Sequence, residues 1–600
     1  MNPETPNLLR AARDLAAGRL LAGLGADGHW IGELSSSALS TAVATIALGE
    51  LDRRGGVDQH RTQVTAGLDW LARNANADGG WGDTTRSRSN LSTTALVWAA
   101  FGAASQGAAH APTVAAAEAW ITQAAGSLRN LVAAIEARYG DDRTFSVPIV
   151  MTLALSGRLG PDGWSRVRPL PFELAALPRS WFGALQLPVV SYALPALIAI
   201  GQAIHFHAPS RNPVARILRR GVARSTLDLL VDLQPVNGGF LEATPLTAFV
   251  TMALASMGET RHPVALRAAD FLRQSMRPEG SWPIDTNLAT WTTTLSIKAL
   301  ALGGPNSHRH NSKDRSALRT WLLEQQFKDI HRYTGAAPGG WAWTDLPGGV
   351  PDADDTAGAL LALRCLDGDA PPDPATIRAA EAGVRWLLDL QNRDGGIPTF
   401  CRGWGRLPFD RSAPELTAHA LRAWHAWESF ISSPTRSRLA DSRRRAGKFL
   451  VRSQRTNGSW VPLWFGNEHA PGDENAVIGT SLVLLARPAV DPARSDGSCW
   501  QRGSRYLLDS QNANGSWGGA TQVAGSVEET SLAVSALAND PESRQAAMRG
   551  ALWVAAKIDA NDVDPTPIGL YFARLWYSER LYPWIWATEA LSRIQDPAPA

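Results

Sequence analysis

Cysteine is nearly missing from this 600-residue chain, which holds only Cys365, Cys401 and Cys499. Three thiols cannot build a disulfide framework, and none stands in a C-x-x-C pair. A zinc site of that kind is therefore not expected, and a reducing compartment is. Net charge is equally scarce. Lys+Arg 58 against Asp+Glu 56 leaves +2, so no net field draws the chain to nucleic acid or to acidic partners. Charged residues are 19% of the chain, below the usual quarter, while the hydrophobic share of 44% is ordinary, which excludes wholesale disorder. The N-terminal MNPETPNLLRAARDLAAGRLLAGLG lacks the unbroken apolar run of a signal peptide. Arg10, Arg13, Asp14 and Arg19 interrupt it, and its leucines recur at helical spacing. Residues 180–210 lack charge altogether, and their length would cross a bilayer. Pro188, Pro195, Gln186, Gln202, His205 and His207 argue instead for a buried helix or a surface insertion. RNPVARILRRGVAR follows, with Arg211, Arg216, Arg219, Arg220 and Arg224 on a helical pattern. It is either a solvated face or a basic face for phospholipid.

Tryptophan is abundant: Trp 24 exceeds Phe 15 and Tyr 7 together. Much of it falls in a repeat, a Gly-Gly or Gly-Ser turn followed by an aromatic. Copies end at Trp30, Trp81, Phe240, Trp282, Trp341, Trp460 and Trp517, with a degenerate copy at Ile397. Their first glycines lie 42 to 63 residues apart, apart from one gap of 159, which is the period of a helix-pair repeat. Gln234, Gln391, Gln454 and Gln511 precede four of the copies at a fixed spacing. Apolar-periodic runs such as RYLLDSQ and EETSLAVSALA flank the turns. One unit is thus helix, Gly-rich turn, helix. Its glutamine amide is placed to bond the end of a neighbouring helix while the tryptophan stacks beside it. The expected fold class is all-α, with helix pairs curling into α/α barrels.

This motif resembles the QW repeat of squalene–hopene cyclases and related class II terpene cyclases, over nearly the full chain. The resemblance implies two α/α barrels, one inserted into the other, with a large apolar cavity between them. Residues 27–309 would form the inserted barrel, and residues 1–26 would join 310–600 in the catalytic barrel. A second motif agrees. Residues 352–357 read DADDTA, just before the apolar GALLALRCL. Three acids at a helix start can serve as caps that favour the dipole. They also match the D-x-D-D-T-A acid motif of the family, in which the middle aspartate, here Asp354, protonates a terminal alkene. An alkene is a very weak base, whereas a free aspartate, with a pKa of about 3.9, is ionised at neutral pH. A dry cavity and the like-charged neighbours Asp352 and Asp355 favour the protonated form of the trio. The family's TAH histidine falls on His419, which would donate to the acid. Glu415, one helical turn earlier, is the candidate to orient it.

The carbocation that follows needs stabilisation without a base, which aromatic faces supply. The family pattern places Tyr192, Phe249, Trp291, Trp343, Phe400 and Trp464 in that wall, and LYFARLWYSERLYPWIW adds Tyr571, Phe572, Trp576 and Tyr577. Each aromatic taken alone is equally a core residue. The segments that carry acids in hopene-forming cyclases here offer only Ser40, Thr41, Thr45, Ser92, Thr93 and Thr94. Cyclisation is therefore better supported than hopene as the product, and alcohol formation or a shortened cyclisation is expected over clean deprotonation. Arg574, amid the C-terminal aromatics, is expected to face solvent.

The resemblance implies no metal or other cofactor, a linear isoprenoid substrate such as squalene, and a cytoplasmic protein peripheral or monotopic at the membrane. A lipid bilayer surface and a second copy of the chain are the expected partners, with no nucleic acid. A class II cyclase of a shorter prenyl diphosphate shares D-x-D-D and is the alternative. Class I ionisation needs D-D-x-x-D, which Asp141-Asp142 and Asp354-Asp355 both fail to complete. A prenyltransferase β-subunit would need a zinc-binding Asp/Cys/His set. A helical toroid for protein binding would leave the acid motif unexplained.

Overall fold

The computed structural model describes residues 5–104, 107–140, 142–187, 189–303, 312–368, 370–402, 407–490, 497–570 and 574–595. Helices dominate, and they pack as two closed rings. Among the described residues, the inner helices Ala38–Gly55, Leu91–Ala103, Arg143–Leu155, Leu194–His207 and Thr244–Ser256 touch in succession, and the last returns to the first. The second ring runs through Ala289–Ala301, Ala353–Asp367, Pro414–Trp427, Ala476–Leu484, Val527–Leu537 and Tyr582–Gln595, which closes on Ala289–Ala301. Inner helices are enclosed on all sides, so they read as nearly continuous apolar, Ser and Thr runs. Leu91–Ala103 is buried from Ser92 to Phe101. Outer helices bury one stripe. Gly497–Ser510 buries Cys499, Trp500, Gly503, Tyr506, Leu507 and Ser510, the i, i+3, i+4 pattern of a helix with one wet face.

The repeat turns explain why the rings close. In all eight copies the amide of the aromatic position donates to a threonine hydroxyl on an inner helix; examples are Trp81 to Thr94 at 3.0 Å and Trp517 to Thr530 at 2.9 Å. The indole Nε1 of Trp81, Trp460 and Trp517 donates back to the outer helix, to Leu71, Leu450 and Leu507 carbonyls at 2.7 to 2.9 Å. The glutamine amide ties its own turn to the next outer helix: Gln454 Nε2 donates to the Gly458 and Cys499 carbonyls, both at 2.8 Å. Gln326 does the same with Gly339 and Ala379, a copy hidden in sequence by a longer connection. Gly238 shows why the turn excludes side chains. Its φ is +88°, and a Cβ there would meet the Arg267 carbonyl oxygen at 2.1 Å.

Two turns join distant parts of the chain. Trp282 donates to Thr41 in the first ring, whereas Trp30 donates to Thr293 in the second. The Trp30 turn and the Ala289–Ala301 helix, both within 27–309 by sequence, thus pack in the second ring. Helix Thr5–Ala22 joins them by burying Leu9, Ala12, Ala16 and Leu20 against the C-terminal helices. Accordingly, one core gathers Leu9 to Leu20, Trp30 and residues from Trp291 to Ile594. The other gathers Ala38 to Trp282 with Tyr333, Val350 and Phe400. Trp343 and Trp464 pack against both.

The charge-free 180–210 stretch is broken into a short helix Arg179–Ala184, a turn at Ser191–Ala193 and the buried inner helix Leu194–His207. Among the described residues, no helix is long and apolar enough to cross a membrane. Residues Ile568–Leu570 and Leu575–Tyr577 pair as antiparallel strands near the cavity.

Candidate active site

Between the rings lies a cavity walled almost entirely by apolar and aromatic side chains. Its polar groups are few: Asp352, Asp354, Asp355, Asp285, Thr144 and the phenols of Tyr139, Tyr192, Tyr577 and Tyr582. No Lys or Arg lines it among the described residues.

The acidic motif sits where helix Ala353–Asp367 begins. Asp352 is the cap: its Oδ1 accepts from the Asp354 and Asp355 amides, both at 2.9 Å, while its own amide donates to Trp341. The capping role thus falls on Asp352. With Asp352 spent on the cap, the Asp354 side chain is free to face the cavity. Burial first, then the neighbouring carboxyls, drives Asp355 well above the usual carboxylate range. Burial also lifts Asp352, to about 8, against the amides it accepts from. His419 Nδ1 lies 2.5 Å from Asp354 Oδ1, brought there by the adjacent helix Pro414–Trp427. Burial, then the charge of Lys298, holds the imidazole down at about 4.

Of the aromatic residues expected in the wall, Tyr192, Phe249, Trp291, Trp343, Phe400, Trp464 and Tyr577 line the cavity. Phe400 links several of them, with ring centres 5.5 Å from Tyr192, 6.1 Å from Trp343 and 6.4 Å from Trp464. Trp291 Nε1 donates to the Tyr582 hydroxyl at 2.9 Å. Tyr571 and Phe572 lie outside the described residues. Trp576 does not line the wall. It sits mid-strand, so alternation turns Leu575 and Tyr577 inward and Trp576 into the protein, where its amide donates to Asp83 at 2.7 Å.

Three further expectations need correction. Glu415 shares a helix face with His419 but does not touch it. Its Oε1 accepts from the amides of Leu463 at 2.5 Å and Trp464 at 3.3 Å, so it holds the loop that presents Trp464. The hydroxyls of the first two inner helices do not line the cavity; Thr41 and Thr94 cap the repeat turns and Thr93 binds Asp83. Nor does Arg574 stand free in solvent, because it pairs with Asp473 and donates to the Gly472 carbonyl at 2.9 Å.

Sequence reasoning missed Asp285, a fourth carboxyl in the wall, set three residues beyond Trp282 and beside Trp343. Burial, then Glu242, pushes it well above the usual range. It also missed a second, smaller cavity on the other side of Asp354, whose lining includes Lys298, Arg422, Glu589, Glu415 and His419. Asp354, Trp291 and Phe465 border both cavities. Lys298 could have been noticed, since it is the single charge in the inner-helix run ATWTTTLSIKALA.

Paired helix rings around an apolar cavity are the fold of the class II terpene cyclases. The structure of ent-copalyl diphosphate synthase from Streptomyces platensis superposes over 98% of this chain and 100% of that one, with a TM-score of 0.55 and 19% identity. Residues 287–564 match the squalene-hopene cyclase C-terminal domain. Drimenyl diphosphate synthase from Streptantibioticus cattleyicolor is 31% identical over 46% of this chain and 47% of its own length. Squalene–hopene cyclase from Alicyclobacillus acidocaldarius is 26% identical over 49% of this chain and 46% of its own. The chain thus spans about half the length of these curated relatives.

Proposed function

We propose that the chain cyclises a long linear isoprenoid, squalene or a similar hydrocarbon, by protonating its terminal alkene. Asp354 gives its proton to the alkene. The π pair becomes the new C–H bond, the positive charge falls on the more substituted carbon, and Asp354 is left as a carboxylate. His419 Nδ1 faces that carboxylate at hydrogen-bond distance. The ring faces of Trp291, Trp343, Phe400 and Trp464 then stabilise successive cations without removing a proton. The observation that carries the choice of a hydrocarbon is the wall itself, which among its described residues offers no cation to clamp a diphosphate. The second reading, a shorter prenyl diphosphate, draws on the drimenyl relative. Incubation with squalene and, separately, with C15 and C20 prenyl diphosphates separates the two. Cyclised product from squalene is expected, and turnover of the diphosphates alone would overturn the choice.

Such a substrate partitions into lipid, and we place the enzyme at the cytoplasmic membrane surface. Trp181 and Leu185, Phe206, and the one-sided set Val214, Ile217 and Leu218 are exposed, with Arg216 and Arg220 on the same helix as the last three. Flotation with liposomes, improved by anionic lipid and released by mild detergent, is the expected behaviour. Failure to float at low salt would remove this placement. For termination, Asp285, whose carboxyl burial pushes toward the protonated form, is suited to orienting a water, in keeping with hydration of the last cation.

A further inference from the structure

Lys298 lies seven residues after Trp291 on helix Ala289–Ala301, so two helical turns bring both side chains to one side. Its Nζ stands 3.3 Å from His419 Nε2 and 5.7 Å from the Trp291 ring centre. At the far end of the same imidazole, Nδ1 faces Asp354 Oδ1 at 2.5 Å. An ammonium has three donors and no acceptor, so the ring nitrogen opposite it must accept. A neutral imidazole that accepts at Nε2 carries its single proton on Nδ1, and that proton points at Asp354.

We propose that Lys298 is a positioning residue for the proton donor: by donating to His419 Nε2 it fixes the tautomer whose Nδ1–H supports the carboxylate of Asp354. The proposal rests on the cyclase reading above. Without the ammonium, the imidazole can carry its proton on Nε2 and offer a lone pair to Asp354. That lone pair would accept the acid's own proton and hold it back from the alkene. With the ammonium in place, the acid finds a donor, which stabilises the anion formed as its proton leaves. The positive charge beyond the ring acts in the same direction.

The surroundings fit a cation whose charge is close to its limit. Facing Lys298 are Asp354 and Cys365 from Ala353–Asp367, and His419, Glu415 and Arg422 from Pro414–Trp427. Glu589, paired with Arg593 at 3.0 Å, faces it from Tyr582–Gln595. Burial, then Arg422, pulls the ammonium down to about 8, while Glu589 and Asp354 support its charge. The charge, and with it the donor-only character that obliges Nε2 to accept, is therefore lost as pH rises through that value. Arginine at this position would stay charged.

The test uses the full chain, with Lys298→Met and Lys298→Arg. On whichever of squalene or geranylgeranyl diphosphate the wild type cyclises, Lys298→Met should lower kcat about 100-fold with KM within twofold. Lys298→Arg should restore most of the rate and keep it above pH 9, where the wild type declines. A Lys298→Met enzyme within threefold of wild-type kcat, or an arginine variant with the wild type's alkaline decline, overturns the proposal. A second arm needs no turnover. Histidine-selective 15N spectra, assigned with His419→Gln, should show a pure Nδ1–H tautomer in the wild type and a mixed or protonated ring in Lys298→Met. An unchanged tautomer and titration in Lys298→Met overturns the proposal even if no substrate is cyclised. A wild type inactive on both substrates with the expected spectra would count against the cyclase reading alone.

Discussion

The two cavities that meet at Asp354 are built from opposite chemistry. In front, the larger space is walled by aromatic and aliphatic groups; behind, a smaller one holds Lys298, Arg422, Glu589 and Glu415 beside apolar side chains. An acid strong enough for an alkene needs both sides. On the proposed reading the dry side shields the cation from water, while the ionic side offers the anion a partner once the proton has gone. A wall polar throughout would quench the cation, and one apolar throughout would leave the carboxylate without support.

The largest effect should come from removing the group that joins the two sides. Asp354→Asn keeps the shape but has no proton of comparable acidity to give, so product should fall below detection while circular dichroism and melting remain those of the wild type. Near wild-type turnover would show that the acid lies elsewhere. His419→Ala breaks the link to the rear cavity and should cost about 100- to 1000-fold in kcat, the usual price of one preorganised donor at a developing anion, with KM little changed. A loss confined to KM would mean that His419 shapes the cavity rather than supports the acid.

Asp285→Asn addresses the front cavity alone. It should leave total turnover within about tenfold and shift the ratio of alcohol to alkene products severalfold, because it alters a group at the wall and not the proton donor. Gas chromatography of the products gives that ratio directly. An unchanged ratio would remove Asp285 from termination.

These predictions draw unequally on sequence. The repeats announce helix pairs because each turn needs glycine at positive φ and an aromatic anchor, and those demands are local in the chain. The acid motif is equally local, since cap and candidate donor are neighbours. Long-range placement left fainter marks. Nothing near Trp30 shows that its amide will meet Thr293, or that Ala289–Ala301 will pack with the second ring. Glu415 has the right helical offset to reach His419, yet two loop amides claim its oxygen. Trp576 and Tyr577 stand on one short strand, and its period of two removes Trp576 from the wall. Lys298 left a mark in sequence, a lone charge in a buried run, but its partner lies 121 residues away.

Glu415 gives the smallest effect and tests whether the rear cavity holds neutral as well as charged groups. Burial, outweighing the amides it accepts from and helped by the nearby Asp354, lifts it from an ordinary 4.5 to about 8. The unfolded chain therefore releases this proton near 4.5 while the folded chain keeps it until about 8. Between those values the native state binds more protons, so the contribution of Glu415 to stability is complete at low pH and is lost as pH rises through the window. Glu415→Gln mimics the protonated form, keeps an oxygen for the Leu463 and Trp464 amides, and cannot ionise. Its melting temperature should equal that of the wild type within about a degree at pH 5 and exceed it by about one to two degrees at pH 8.5. A variant that instead melts lower at pH 8.5 would show that Glu415 is held as a carboxylate, and the rear cavity would then carry one more negative charge opposite Lys298 and Arg422.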